Sequence, residues 1–143
     1  MQENISQVIL FQIDKTSKMA KQHAQRIFDE LGIEITVEQW ILLKIIHENE
    51  EISQKELASK SLRDPASITR TLDLLQRKTL VERKTIPDNR RKYHVALTSS
   101  GKKFIERHMP LVERLRKQST DGLSKAEMKQ LNKLLTKIQS NVQ

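Results

Sequence analysis

Two short stretches of this 143-residue chain carry residue types suited to recognising a polyanion. The first holds Ser67, Thr69 and Arg70, two hydroxyls and a guanidinium within four residues. An arginine so placed can donate two parallel hydrogen bonds to guanine O6 and N7, and serine or threonine hydroxyls reach base edges or phosphates. The second holds Arg90, Arg91 and Lys92. Arginines on an exposed turn are long enough to enter a minor groove, where the negative potential is strongest when the groove is narrow. Catalytic chemistry has no comparable footing. There is no phosphate-cradling glycine loop, no HExxH pattern and no strand–turn–helix around a nucleophile, and three glycines leave few ways to build one.

Charge gives the same indication. The net charge is +8, and residues 63 to 103 hold eleven Lys or Arg against Asp64, Asp73, Glu82 and Asp88, a segment balance of +7. The remaining chain is close to neutral, so the basicity is concentrated in one place, as a binding face for a polyanion requires. Aromatic residues make up only 3% of the chain, with Tyr93 alone in the basic segment, which disfavours the stacking platforms of RNA readers. Cysteine is absent, which excludes disulfides, thiolate chemistry and cysteine-based metal sites. His23, His47, His94 and His108 show no paired ligand spacing, so no metal or other cofactor is expected. No apolar run approaches the roughly 20 residues that span a bilayer, and the acidic start is unlike a signal peptide. No membrane association and a cytoplasmic location are the expectation.

The elements that must hold these residues can be read from periodicity and caps. A first helix is predicted from about Ile5 to Glu30, ended by Gly32. Thr36 and Gln39 fit a capping box that opens a strongly apolar second helix ending near Asn49. Ser53 and Glu56 fit another, at the start of a short third helix. Asp64 as N-cap with Pro65 at the first helical position begins a fourth, whose Ile68, Leu72 and Leu75 form one buried stripe. The opposite face carries Ala66, Arg70, Asp73 and Arg77, flanked by Ser67 and Thr69. Leu80 to Ile86 and Tyr93 to Thr98 read as strands about a basic turn, Pro87 to Lys92, with Arg83, Lys84 and Lys92 placed over phosphates. Two short helices followed by such a hairpin make a winged helix-turn-helix.

The last forty residues return to helix. Ser99 or Ser100 is expected to cap a fifth helix, with a kink or break near Met109 because Pro110 follows. Ser124 and Glu127 fit a further capping box, and Met128, Leu131, Leu135, Ile138 and Val142 then form a two-heptad seam. A seam so short needs a partner, and together with the first helix it suggests a helical dimer interface. Packing within one subunit is the alternative.

From Ile35 to Gly101 the sequence resembles the MarR family of bacterial transcription regulators. The resemblance rests on residues 36–43, Gln54-Lys55-Glu56-Leu57-Ala58, residues 67–75, Leu80-Val81-Glu82-Arg83, the arginines 90 and 91, and Leu97-Thr98-Ser99-Ser100-Gly101. It implies a mainly α, winged helix-turn-helix fold with a two-stranded β wing, as one domain over 1–143. Residues 35–98 would form the DNA-binding lobe, and 1–34 and 99–143 the dimerisation helices. It further implies a homodimer on a palindromic double-stranded DNA operator, usually a repressor released by a small-molecule effector. Ser67, Thr69 and Arg70 match its recognition helix, and Arg91 its wing arginine. By the same analogy an effector cleft would lie near His23, Ile27, Trp40, Lys44 and the start of the fifth helix. Two departures stand out. Asn89 replaces the aspartate common before the wing arginine, and Thr79 stands where glycine usually ends the recognition helix. That turn is then either strained or built differently. The competing readings are a helical dimeric protein-interaction module and a non-specific nucleic-acid binder. Salt dependence separates nucleic-acid binding from a ligand-only role: a dimer touching about eight phosphates gives a log–log slope near −7.

Overall fold

The computed structural model describes residues 2–86 and 89–143, with side chains left out of the description at 86 and 89–92. A 3₁₀ turn at Ile5–Gln7 precedes α1 (Ile9–Glu30). There follow α2 (Val37–Glu48), β1 (Ile52–Ser53), α3 (Gln54–Ser61), α4 (Pro65–Arg77), β2 (Val81–Ile86), β3 (Asn89–Leu97), α5 (Ser99–Ser119) and α6 (Lys125–Val142). The first α-helix therefore starts at Ile9 rather than Ile5, because Asn4 caps a separate 3₁₀ turn and Val8 is extended. Contacts divide the chain into two compact units at Pro110 and Leu111.

In the first unit the caps form largely as the residue types dictate. Thr36 and Gln39 close a reciprocal capping box on α2. Asp64 accepts the Ser67 N–H at 2.9 Å and Pro65 occupies the first turn of α4. At α3 only half of the expected box is made, because Glu56 takes the Ser53 hydroxyl proton instead of the backbone N–H. Around these helices Trp40, Leu42, Leu43, Ile46, Ile52, Leu57, Ile68, Leu72, Leu75, Val81, Val95 and Ile105 are buried. Burial of apolar surface on this scale supplies the main stabilising term.

The sheet is three-stranded and antiparallel, in the order β1-β3-β2. The wing strands were expected. The two-residue β1 was not, since Ser53 also serves as the α3 cap. Pairing runs from Val81 opposite Leu97 to Thr85 opposite Tyr93, with a register shift before Ile86 pairs Asn89. Asn89 to Lys92, read above as turn, thus belong to β3, while Pro87 and Asp88 lie outside the described residues.

α5 is capped by Thr98, not by Ser99 or Ser100. Its hydroxyl accepts the Gly101 N–H at 3.0 Å while donating to the Thr79 carbonyl. A Cβ built on Gly101 would stand 2.1 Å from the Leu80 carbonyl oxygen, so only glycine fits this approach. α5 is not broken by Pro110 but runs on to Ser119. The second unit comprises the rest of α5 and α6. The Ser124–Glu127 capping box forms, and the backbone hydrogen bond it supplies holds the Glu127 carboxyl below the usual carboxylate range. No residue of α6 is buried.

Candidate nucleic-acid interface

The geometry of α4 follows from its two faces. Ile68, Leu72 and Leu75 have no exposed surface, which fixes the helix's rotation about its axis. Ala66, Thr69, Arg70 and Arg77 are then exposed on the other side, while Ser67 and Asp73 are half-buried at its edges. Arg70 makes no ion pair among the described residues. The alternative partner Asp73 is instead held by Arg83, at 2.6 Å.

That contact corrects the phosphate role expected of Arg83. Only 17% of its side chain is exposed, and Nη2 also donates to the Thr69 carbonyl at 3.1 Å. The register explains this: Arg83 is opposite buried Val95, so its side chain leaves the sheet on the helix side. Lys84, one residue on, takes the other face, is exposed, and lies 3.6 Å from Glu82.

Further groups brace the start of α4. Arg63 Nη2 donates to Ser67 Oγ and to Thr71 Oγ1. Gln54, the first residue of α3, donates to Thr69 Oγ1 at 2.8 Å. Sequence reasoning missed both. The helix-turn-helix is the signal that could have found Gln54, since it brings the first turn of α3 against the first turns of α4, and the four-residue spacing from Arg63 to Ser67 is the signal for the other.

The far end of α4 closes in a Schellman arrangement. The Thr79 N–H bonds the Gln76 carbonyl and the Leu80 N–H the Leu75 carbonyl, with Thr79 at φ +61°. Of the two readings of that turn, the strained left-handed one is present. Leu62 does the same for α3 at φ +56° and is 93% exposed.

Arg90, Arg91 and Lys92 fall on β3, and their side chains lie outside the described residues, as does Asp88. Of the effector residues, Trp40 is buried with its ring 6.5 Å from Phe104 of α5, and its indole N–H has no partner among the described residues. The Phe104 ring in turn lies 4.5 Å from that of His108, tilted at 58°, and the His108 pKa is lowered by burial and then by the Arg107 charge. Ile27 is half-buried, His23 is exposed, and Lys44 pairs with Glu48 at 3.4 Å. Trp40 and the fifth helix are thus brought together. Among the described residues no three potential ligands are grouped to hold a metal, and no helix is long and apolar enough to cross a membrane.

A bihelical unit with a buried stripe, an exposed polar face on its second helix and a β-hairpin behind it defines a winged helix-turn-helix protein. Residues 35–93 match the model of the MarR family, in agreement with the resemblance read from the sequence. The fold extends beyond it. A MarR mutant from E. coli, crystallised with operator DNA, superposes with a TM-score of 0.83 at 26% identity, covering 96% of this chain and 99% of its own. MepR from S. aureus in complex with DNA matches at a TM-score of 0.83 and 24% identity, over 94% of this chain and 98% of that one. BpsR from Bordetella bronchiseptica matches at a TM-score of 0.86 and 20% identity, over 97% and 98%. The last two likenesses speak for the fold alone.

Proposed function

We propose that the chain is a sequence-specific, double-stranded DNA-binding transcriptional regulator that acts as a homodimer on a palindromic operator, as a repressor released by a small-molecule effector. The observation that carries this is the exposed Ala66–Arg70–Arg77 face of α4, held in place by a fully buried stripe and braced by Arg63, Gln54 and Arg83. Small Ala66 lets the helix approach the major groove closely, and Arg70 reads guanine O6 and N7. Ser67 and Thr69 flank it, and Arg90, Arg91 and Lys92 of the wing engage the neighbouring minor groove and phosphates. Residues 35–98 serve as the reading lobe, while 1–34 and 99–143 supply the dimer contacts. Ile9 and Leu10 of α1 are about 60% exposed and Leu131 and Leu134 of α6 about 45%, apolar surface that a second copy would cover.

The relatives support the same reading: the MarR mutant was crystallised with operator DNA, and regulation of BpsR DNA binding involves 6-hydroxynicotinic acid. An effector of this chain would act near Trp40 and Phe104, with His23, Ile27 and Lys44 at the margin. The chain works by binding, not catalysis, and in the cytoplasm.

Selection of bound duplexes from a random pool tests the proposal. The expected winner is an inverted repeat with half-site centres about one helical turn apart, bound with a steep salt dependence. Weak, salt-steep binding to every duplex alike would reduce the protein to a non-specific nucleic-acid binder.

A further inference from the structure

The geometry points to Arg63 and Gln54 as the residues that set what the hydroxyls of α4 read, one fixing Ser67 as a donor and the other barring Thr69 from donating. This rests on α4 facing DNA. A hydroxyl carries one proton and two lone pairs, so its reading sense depends on which of them its neighbours occupy. Ser67 and Thr69 lie on opposite edges of the exposed face, two residues and about 200° apart on the helix.

At Ser67 a cation fills the acceptor side. Arg63 Nη2 donates to Ser67 Oγ and, at 2.9 Å, to Thr71 Oγ1. Thr71 Oγ1 passes its own proton to the Ser67 carbonyl at 3.0 Å. Arg63 Nη1 is buried and has no partner among the described residues, so the guanidinium sits in this place despite an orphaned donor. The Ser67 proton is turned away from the cation, and no acceptor among the described residues takes it. It is available to an acceptor on DNA. With Arg70 a pure donor beside it, this edge selects a base pair rich in acceptors, and we assign to Ser67 a purine N7.

At Thr69 the proton is already committed. Oγ1 donates to the Pro65 carbonyl at 3.0 Å and accepts from Gln54 Nε2 at 2.8 Å. What remains for DNA is one lone pair and the methyl group, which suit an adenine or cytosine amino group or a thymine methyl. The two edges of one helix therefore ask for different things, and the difference is written by residues that need not touch DNA. Arg63 and Gln54 are positioning residues in this sense.

The test uses the full chain and the inverted repeat it selects. Each purine of a half-site is replaced in turn by its 7-deaza analogue, which removes the N7 acceptor and keeps Watson–Crick pairing. At one position wild type is expected to lose about fivefold in affinity, the worth of one hydrogen bond, while Ser67→Ala loses nothing further there. Arg63→Met, which keeps the apolar stem, should still bind but relax its selected preference at that position, and Arg63→Lys should restore it. Equal losses for wild type and Ser67→Ala at every 7-deaza position, with an unchanged Arg63→Met half-site, would overturn the assignment. If Arg63→Met fails to fold by circular dichroism, the Ser67→Ala comparison decides alone. A wild type that selects no site at all would instead defeat the DNA-binding reading on which this one rests.

Discussion

Helices α4 and α6 carry apolar residues at the same spacing and meet opposite fates. On α4, Ile68, Leu72 and Leu75 are wholly buried within their unit. On α6, Met128, Leu135 and Ile138 are only half-buried, while Leu131 remains 45% exposed and Val142 72%. Helical periodicity states that a stripe exists but not what covers it. In α4 the cover is the helix-turn-helix core and the sheet, so the exposed face is left rigid and free to read. In α6 the stripe is left partly open, and a second copy of the chain is the cover proposed for it.

Truncating one side chain in each stripe should separate the two kinds of cover. Ile68→Ala should lower stability by about 3 kcal/mol, since a fully buried side chain leaves a cavity behind. Leu131→Ala should instead lower the urea midpoint mainly at low chain concentration, as the dimer comes apart. Urea unfolding across a range of chain concentrations separates these outcomes, and a concentration-independent Leu131→Ala effect would mean that α6 is covered within its own chain. Next in size is Gly101→Ala. The added methyl meets the Leu80 carbonyl at 2.1 Å, so a loss of roughly 2 kcal/mol is expected by thermal or chemical unfolding.

Thr79→Gly should move the other way. Relief of the left-handed threonine, offset by the greater freedom of unfolded glycine, predicts a gain of about 0.5–1 kcal/mol with DNA binding retained.

The smallest effect is on pH. Because burial and then Arg107 lower the His108 pKa, the folded state resists its protonation. Its contribution is complete above the unfolded value near 6.5 and is lost as pH falls through the folded value, so Tm should drop on that descent. His108→Gln should flatten this segment of the Tm profile; an unchanged profile would place the histidine in solvent.

Much of this fold was legible because caps and stripes are local. Thr36 with Gln39, Asp64 with Pro65, and Ser124 with Glu127 each announce a helix start through a side chain that satisfies a nearby N–H. What escaped depended on contacts distant in sequence. Arg83 looked like any wing cation, and only the strand register turns it towards Asp73. β1 gains its identity from pairing with β3, since two residues carry no period of their own. Leu62 and Glu50 adopt left-handed conformations that nothing in a leucine or glutamate side chain announces. At the candidate site, the exposure of Arg70 followed from the buried stripe, whereas the bracing of Thr69 by Gln54 required the two helices to be in contact, and that of Ser67 by Arg63 is a local contact from the turn before α4.

If two copies of α4 read successive major grooves of one duplex, as proposed, affinity must depend on the spacer of the selected repeat. Insertion of about five base pairs, half a helical turn, moves one half-site to the far side of the DNA. Affinity is expected to fall then to that of unrelated DNA, and a full-turn insertion to recover part of it. Unchanged affinity at every spacing would contradict the proposal, since the halves would then be bound independently.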